Sequence, residues 1–207
     1  MKIKLPDTIP VFPLTGVIYF PGSNLPLNIF EPRYLDLIND CMKSNKYMGL
    51  IQSKKNSSDV YSVGCLGKIT ENKKANDGTL QVNLVGITRF EIKKEIDNEK
   101  PYRIFKVSYD KFGEDLNQEK KQLKKTKDLS EKIKIFFEKN GLLLNWKEFD
   151  KLDQDQRINT LAMIAPISNE EKQTLLETVK LDSKIKTLSE IIEFYLHDKR
   201  DNNLTIQ

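Results

Sequence analysis

The sequence is poor in the side chains from which most catalytic sites are built. It has one histidine, His197, and two cysteines, Cys41 and Cys65, which lie far apart without metal-ligand spacing. His197 lies near the predicted end of the last helix, where the helix dipole favours an imidazole. A phosphate-binding G-x-x-x-x-G-K-[ST] loop and a G-x-S-x-G nucleophile elbow are also missing. We therefore expect no catalytic residue, no cofactor site and no metal site.

Long apolar runs are missing as well. No apolar run approaches the ~20 residues that a membrane span needs, and the N-terminal decapeptide lacks the apolar stretch of a signal peptide. Both cysteines lie among apolar neighbours, which favours buried and reduced thiols. These features predict a cytoplasmic protein that does not bind a membrane.

Charge of one sign is not concentrated in this chain. The formal net charge is +4 over 207 residues, and only five of the 34 basic residues are arginines. Nucleic-acid surfaces usually need a clustered basic face, and lysine recognises phosphates and bases less specifically than arginine. The most basic segment, residues 119–127, predicts either a site for an acidic partner or nucleic acid, or the solvated face of a long helix, which we favour.

The most informative segment is residues 9–34, in which five prolines separate short apolar runs. Proline lacks a backbone donor and is normally kept out of central strands. The segment therefore predicts short edge strands joined by tight turns. Pro32 suits the first turn of a helix, and apolar residues at helical spacing extend this predicted helix to Ser44.

The following residues, to about 110, carry strand patterns separated by turn signals. Asp77-Gly78 is a strong hairpin signal, because a tight hairpin turn needs positive φ, which glycine tolerates. One helix and no regular alternation of strands and helices predict a small antiparallel barrel or sandwich. The strand candidates after the helix are residues 47–52, 63–71, 80–85, 88–93 and 102–109.

From about residue 115 the apolar residues fall at helical spacing in a lysine-rich background. The first predicted helix ends at Asn140-Gly141, a good C-cap. Asp153 can cap a second helix, and Ser168 with Glu171 forms the capping box of a third. A last helix carries one apolar stripe. This half of the chain therefore predicts a bundle of about four helices.

Several motifs follow one another along almost the whole chain. Residues 12–34 contain F-P-L, F-P-G, L-P-L and I-F-E-P-R-Y, residues 63–69 read V-G-C-L-G-K-I, residues 84–90 read L-V-G-I-T-R-F, and residues 163–172 read M-I-A-P-I-S-N-E-E-K. This series resembles the Lon protease N-terminal domain family, often called the substrate-binding domain. Cys65 stands where the family usually has threonine. Motifs of the ATPase and peptidase modules that follow this region in Lon are missing, so the resemblance is to the stand-alone form.

The resemblance implies an α+β fold, a PUA-like antiparallel β pseudo-barrel with a C-terminal helical subdomain, divided as residues 1–112 and 113–207. It implies a non-enzymatic protein- or peptide-binding module, similar to the substrate-recognition domain of ATP-dependent Lon protease. Such a module would act in protein quality control or as an adaptor. Its implied partners are unfolded or partly folded protein segments, or a protease or chaperone.

The alternative function is RNA binding, because PUA-like barrels also serve that purpose. The modest charge and the few arginines count against it. The sequence does not identify the partner, an association with full-length Lon protease or the oligomeric state.

Candidate partner-binding residues lie in the proline-rich segment, where interrupted strands leave edges to which an extended chain can add. Their alternative role is to close one end of the barrel. Arg33 is the polar candidate. The apolar candidates, which could form a patch suited to apolar segments of unfolded chains, are Val17, Tyr19, Phe20, Pro21 and Leu25.

A second group of residues is expected to be structural. Charged residues inside an apolar motif should be paired, since an unpaired buried charge is costly. Glu31 and Arg33 are therefore expected to pair with each other or with Arg89, unless Arg33 faces a partner. The structural candidates are Glu31, Pro32, Tyr34, Gly86, Arg89 and Phe90.

Overall fold

The computed structural model describes residues 4–117 and 127–197 of the chain. The chain divides into two compact units, Met1–Gln118 and Glu119–Gln207. A boundary between residues 112 and 113 stays a prediction from the sequence.

The described part of the first unit contains strands, one α-helix and a 3₁₀ helix. The 3₁₀ helix, Asp110–Leu116, follows the last strand. The other elements are β1 (Thr8–Leu14), β2 (Asn24–Ile29), α1 (Pro32–Met42), β3 (Tyr47–Gln52), β4 (Val63–Lys74), β5 (Leu80–Ile96) and β6 (Arg103–Ser108).

Five of these strands close into a ring, and the sixth, β2, lies outside it. Hydrogen-bonded neighbours follow the order β2-β5-β4-β3-β1-β6, and β6 also pairs with β5. The 17-residue β5 allows this closure. Its first half pairs with β2 and β4, and its second half pairs with β4 and β6. The α+β pseudo-barrel predicted from the sequence is confirmed.

One strand pairing differs from the antiparallel arrangement that we expected. β1 and β3 run parallel, with Val11 opposite Gly49 and Leu14 opposite Gln52. The other pairings between the named strands are antiparallel. A parallel pair needs a crossover connection, and the chain supplies it through β2 and α1. The predicted helix is therefore also the element that lets β1 and β3 run in the same direction.

The barrel interior is filled by apolar side chains that alternate along the strands, as the two-residue period of a strand requires. Phe90, predicted to be structural, is fully buried among them. The central cluster consists of Ile9, Val11, Ile51, Leu66, Phe90, Phe105 and Val107.

Helix α1 begins at Pro32, as predicted, and ends two residues before the predicted end at Ser44. Proline is favourable here because the first N–H groups of a helix have no intrahelical acceptor. The helix turns one apolar face inward, and the ring centroid of Tyr34 lies 4.0 Å from that of Phe12 in β1. The buried residues of this face are Tyr34, Leu37, Ile38 and Cys41.

Both cysteines are buried, as the sequence predicted. Burial is the main reason that the pKa of Cys41 rises to about 12, and the neighbouring Asp40 adds to the effect. Asp40 itself fastens α1 to the segment before β6, since Tyr102 Oη and Lys100 Nζ donate to its Oδ2 at 2.6 Å and 2.9 Å. These bonds, that of Tyr102 first, lower the pKa of Asp40.

The described part of the second unit is helical. The predicted cap at Asp153 and the predicted capping box of Ser168 with Glu171 are both present, and the structure adds Gln156, which completes a capping box at Asp153. The helices are α2 (Lys127–Lys139), α3 (Trp146–Phe149), α4 (Gln154–Ile164), α5 (Asn169–Glu177) and α6 (Leu181–His197). The four-residue α3 was not predicted.

The ends of the first and last helices of this unit agree with the sequence. Gly141 has a positive φ of 65°, which suits the predicted C-cap after α2. His197 lies in the last turn of α6. The basic segment, residues 119–127, lies outside the described residues except for its last backbone position, so its role stays a prediction.

Candidate protein-binding edge

Strand β2 offers one free edge. It pairs with β5 along its whole length, from Asn24 opposite Val85 to Ile29 opposite Leu80. Within residues 4–117 and 127–197, no strand pairs with its other side. Free N–H and C=O groups on such an edge can hydrogen-bond to an added strand. We call this side of β2 the β2 edge.

The hydrogen bonds beside β2 show which residues direct their backbone toward the β2 edge. Gly86 N donates to Ser23 O at 2.9 Å, and Gly22 N donates to Gly86 O at 3.0 Å, so Ser23 and Gly86 occupy a hydrogen-bonded position. Hydrogen-bonded and non-hydrogen-bonded pairs alternate in an antiparallel ladder. The backbone groups of Asn24, Pro26 and Asn28 therefore point away from β5.

The proline at the middle position agrees with this alternation of backbone directions. Pro26 has no N–H to donate, and a strand tolerates proline where the missing donor faces solvent. Asn24, Pro26 and Asn28 are all exposed. The β2 edge thus presents three carbonyl oxygens but only two N–H groups.

The β2 edge carries no charge, whereas the other open edge of the sheet does. Residues 22–30 contain no charged side chain. In the described sheet, residues 71–74 of β4 pair only with β5, and they include Glu71, Lys73 and Lys74. Charged side chains are a common protection of an edge against strand addition. Charge does not protect the β2 edge.

An exposed aromatic side chain follows β2 directly. Phe30 is 70 % exposed, the largest fraction for an aromatic residue in the described part of the chain. The sequence analysis missed it as a candidate. The signal was present, since Leu25, Leu27 and Ile29 alternate toward the interior, and the next residue must then point outward.

Three of the predicted partner-binding residues are not on the surface. Tyr19, Phe20 and Pro21 are buried, so of the two roles that the sequence left open they do not take that of an exposed patch. Tyr19 donates its hydroxyl to Ser23 O at 3.2 Å, and burial raises its pKa far above the usual value. Their burial agrees with the alternative role that the sequence left open, in which they close one end of the barrel.

The remaining partner-binding candidates stay accessible. Val17 is 38 % exposed, and Leu25 is partly buried in β2. Arg33 is exposed and pairs with Glu31 at 2.8 Å, and its guanidinium carbon lies 4.6 Å from the centroid of the Tyr34 ring. A binding role for Val17, Leu25 and Arg33 stays a prediction.

Arg89 is paired with a residue that the sequence did not suggest. Glu31 and Arg33 pair with each other, which is one of the two predicted arrangements, and Arg89 instead pairs with Asp115 in the 3₁₀ helix. Arg89 donates from Nη2 to Asp115 Oδ1 at 2.7 Å, and from Nε and its backbone N to Oδ2 at 2.9 Å. Both side chains are almost buried. The Arg89 guanidinium also lies over the Phe112 ring, 4.4 Å from its centroid.

Further geometric properties of the described residues bear on function. No group of three histidine, cysteine, aspartate or glutamate side chains in residues 4–117 and 127–197 is arranged to hold a metal ion. In the same residues, no helix combines the length and apolar character needed to cross a bilayer.

The fold is that of solved Lon N-terminal domains. The Lon N-terminal domain protein from Xanthomonas campestris superposes with a TM-score of 0.67 at 21 % identity, covering 87 % of this chain and 96 % of that one. The N-terminal domain of Lon protease from the Mycobacterium avium complex gives a TM-score of 0.66 at 18 % identity, covering 90 % of this chain and 98 % of that one.

The sequence match identifies the family. The chain belongs to the family of the ATP-dependent protease La (LON) substrate-binding domain, whose model matches residues 8–193. Among curated proteins, Lon protease of Anaeromyxobacter dehalogenans is 24 % identical over 200 residues, covering 92 % of this chain. Lon protease 2 of Myxococcus xanthus is similar to the same extent. The chain spans about a quarter of the length of these relatives.

Proposed function

We propose that this chain is a non-enzymatic protein-binding module that holds extended, uncharged segments of unfolded or partly folded proteins. It does so by pairing such a segment with the β2 edge. In this proposal the module serves protein quality control, or acts as an adaptor that delivers bound chains to a protease or chaperone. It turns over neither ATP nor peptides by itself.

The free edge of β2 is the observation that carries the proposal. Backbone hydrogen bonds recognise any extended chain, whatever its sequence, which suits a module that must bind many non-native proteins. The uncharged edge and the exposed Phe30 favour apolar or polar guests over charged ones. The family description, a substrate-binding domain of a protease, supports the same class of ligand.

Changing Phe30 to serine is expected to weaken the binding of an extended peptide at least about 5-fold, because truncating an aromatic anchor commonly costs more than ~1 kcal/mol. The measurement is a fluorescence anisotropy titration with a labelled seven-residue peptide of alternating leucine and threonine. Wild-type affinity is expected near micromolar, as for a small transient interface.

The matched control is Phe194→Ser, which removes a 59 % exposed aromatic side chain from α6 in the other unit. This variant should bind the peptide as the wild type does. Equal loss in both variants, or no loss in Phe30→Ser, would contradict the assignment of the site. Melting curves of both variants establish that they remain folded.

Backbone pairing is tested with N-methylated peptides. Methyl groups on alternate residues remove the N–H groups from one side of an extended strand. Of two peptides, one methylated at odd and one at even positions, one should therefore lose binding and the other should keep it. Binding should also depend little on salt. RNA affinity that is tight and falls steeply with salt, without any peptide binding, would reject the proposal in favour of the alternative function.

A further inference from the structure

The number of backbone hydrogen bonds that the β2 edge can form depends on the partner, because Pro26 has no N–H. A guest strand that pairs antiparallel with this edge forms backbone hydrogen bonds with Asn24, Pro26 and Asn28. It loses only one of them, the bond that an N–H at Pro26 would donate. A second copy of this chain that pairs through its own β2 about a two-fold axis brings a second proline. Each symmetric register that includes Pro26 therefore loses two hydrogen bonds, one for each copy.

Pro26 takes the protective role that charge takes elsewhere in the sheet. The open residues of β4 include the charged residues Glu71, Lys73 and Lys74, and charged side chains on an edge are a common protection against strand addition. The β2 edge has no such charges, and Phe30 adds exposed apolar surface beside it. Without another feature that opposes it, an uncharged and partly apolar edge would pair with the same edge of a second copy.

We infer that Pro26 determines specificity at the β2 edge, admitting one short guest strand and disfavouring pairing with a second copy of this chain. The guest part of this inference rests on the function proposed above. The self-pairing part stands on the geometry of β2 alone. With three outward-facing residues, the edge accommodates about five to six residues of a guest.

The test is Pro26→Ala, which restores the N–H and changes little else at an exposed position. A net hydrogen bond contributes ~0.5–1.5 kcal/mol, so peptide affinity should rise roughly 3- to 10-fold. Self-association, which regains two bonds, should rise roughly 10- to 100-fold. Anisotropy titration measures the first effect, and sedimentation equilibrium over a range of protein concentrations measures the second.

The control is Pro101→Ala, which makes the same exchange at an exposed proline outside the β2 edge. It should change neither quantity. Self-association of Pro26→Ala above the wild-type level supports the inference, whether or not wild-type protein binds the peptide. Absence of peptide binding by wild-type protein counts against the proposed function alone. Unchanged self-association of Pro26→Ala overturns the inference, even where wild-type protein binds the peptide.

Discussion

Replacing Arg89 with alanine is expected to destabilise the protein by about 3–5 kcal/mol, because the change leaves the Asp115 carboxylate almost buried without its partner. The substitution also removes the guanidinium from the face of the Phe112 ring. For a protein of this size, the loss corresponds to a fall in melting temperature on the order of 10 °C. Thermal unfolding followed by circular dichroism measures it.

The matched control is Arg33→Ala, which breaks an ion pair of similar length at the surface. The Arg33–Glu31 pair is 2.8 Å long and exposed on both sides, so its loss should cost no more than ~1 kcal/mol. Asp115→Asn should lie between the two, since an amide still accepts a hydrogen bond but leaves the guanidinium charge uncompensated. Equal small effects of Arg89→Ala and Arg33→Ala would show that the buried pair does not hold the 3₁₀ helix on the barrel.

Replacing Gly86 with alanine is expected to cost about 2–4 kcal/mol, in the upper range for overpacking. A Cβ at this position would lie 2.3 Å from Phe20 O and 3.1 Å from Pro21 Cα, which are backbone atoms. Neither can move away freely, because the bonds from Gly22 N and to Ser23 O hold the two chain segments together. Urea unfolding gives the loss of free energy directly.

Gly113→Ala is the matched control for this prediction. A Cβ at Gly113 meets no atom within 4 Å, so the change should stay within about 0.5 kcal/mol of wild type. Gly86→Ala should also displace the start of β2 and weaken peptide binding. An unfolding curve of Gly86→Ala that coincides with that of Gly113→Ala would contradict the close approach.

The features that were predictable from sequence are those with local signals. Pro32 at the start of α1, the cap at Asp153 and the capping box at Ser168 are fixed by residues within one helical turn. The helical half followed from the spacing of its apolar residues. The choice of a barrel over a sandwich followed from the resemblance to the Lon N-terminal domain family, since short strands alone are compatible with several arrangements.

The features that were missed depend on residues far apart in the chain. Arg89 pairs with Asp115, 26 residues away, and no local pattern marks that partner. The parallel pairing of β1 with β3 depends on where the chain returns after α1.

The candidate site was only partly predictable. Proline-interrupted strands pointed correctly to an edge, but the same apolar pattern in Tyr19 and Phe20 fits a buried cover as well as a surface patch. The segment also lies so close to Gly86 that a Cβ there would meet Phe20 O at 2.3 Å, a contact that the sequence does not reveal. The exposure of Phe30 could have been predicted from the alternation of side chains along β2, because Ile29 is buried and the strand ends there.

Residue-resolved amide hydrogen exchange of wild-type protein, with and without the alternating peptide, tests the central claim most directly. In free protein the N–H groups of Asn24 and Asn28 face away from β5, so they should exchange fast, whereas those of Leu25 and Leu27 are already protected by β5. Saturating peptide should slow exchange at Asn24 and Asn28 and leave Leu25 and Leu27 nearly unchanged. Peptide binding that protects neither Asn24 nor Asn28 would contradict strand addition at the β2 edge.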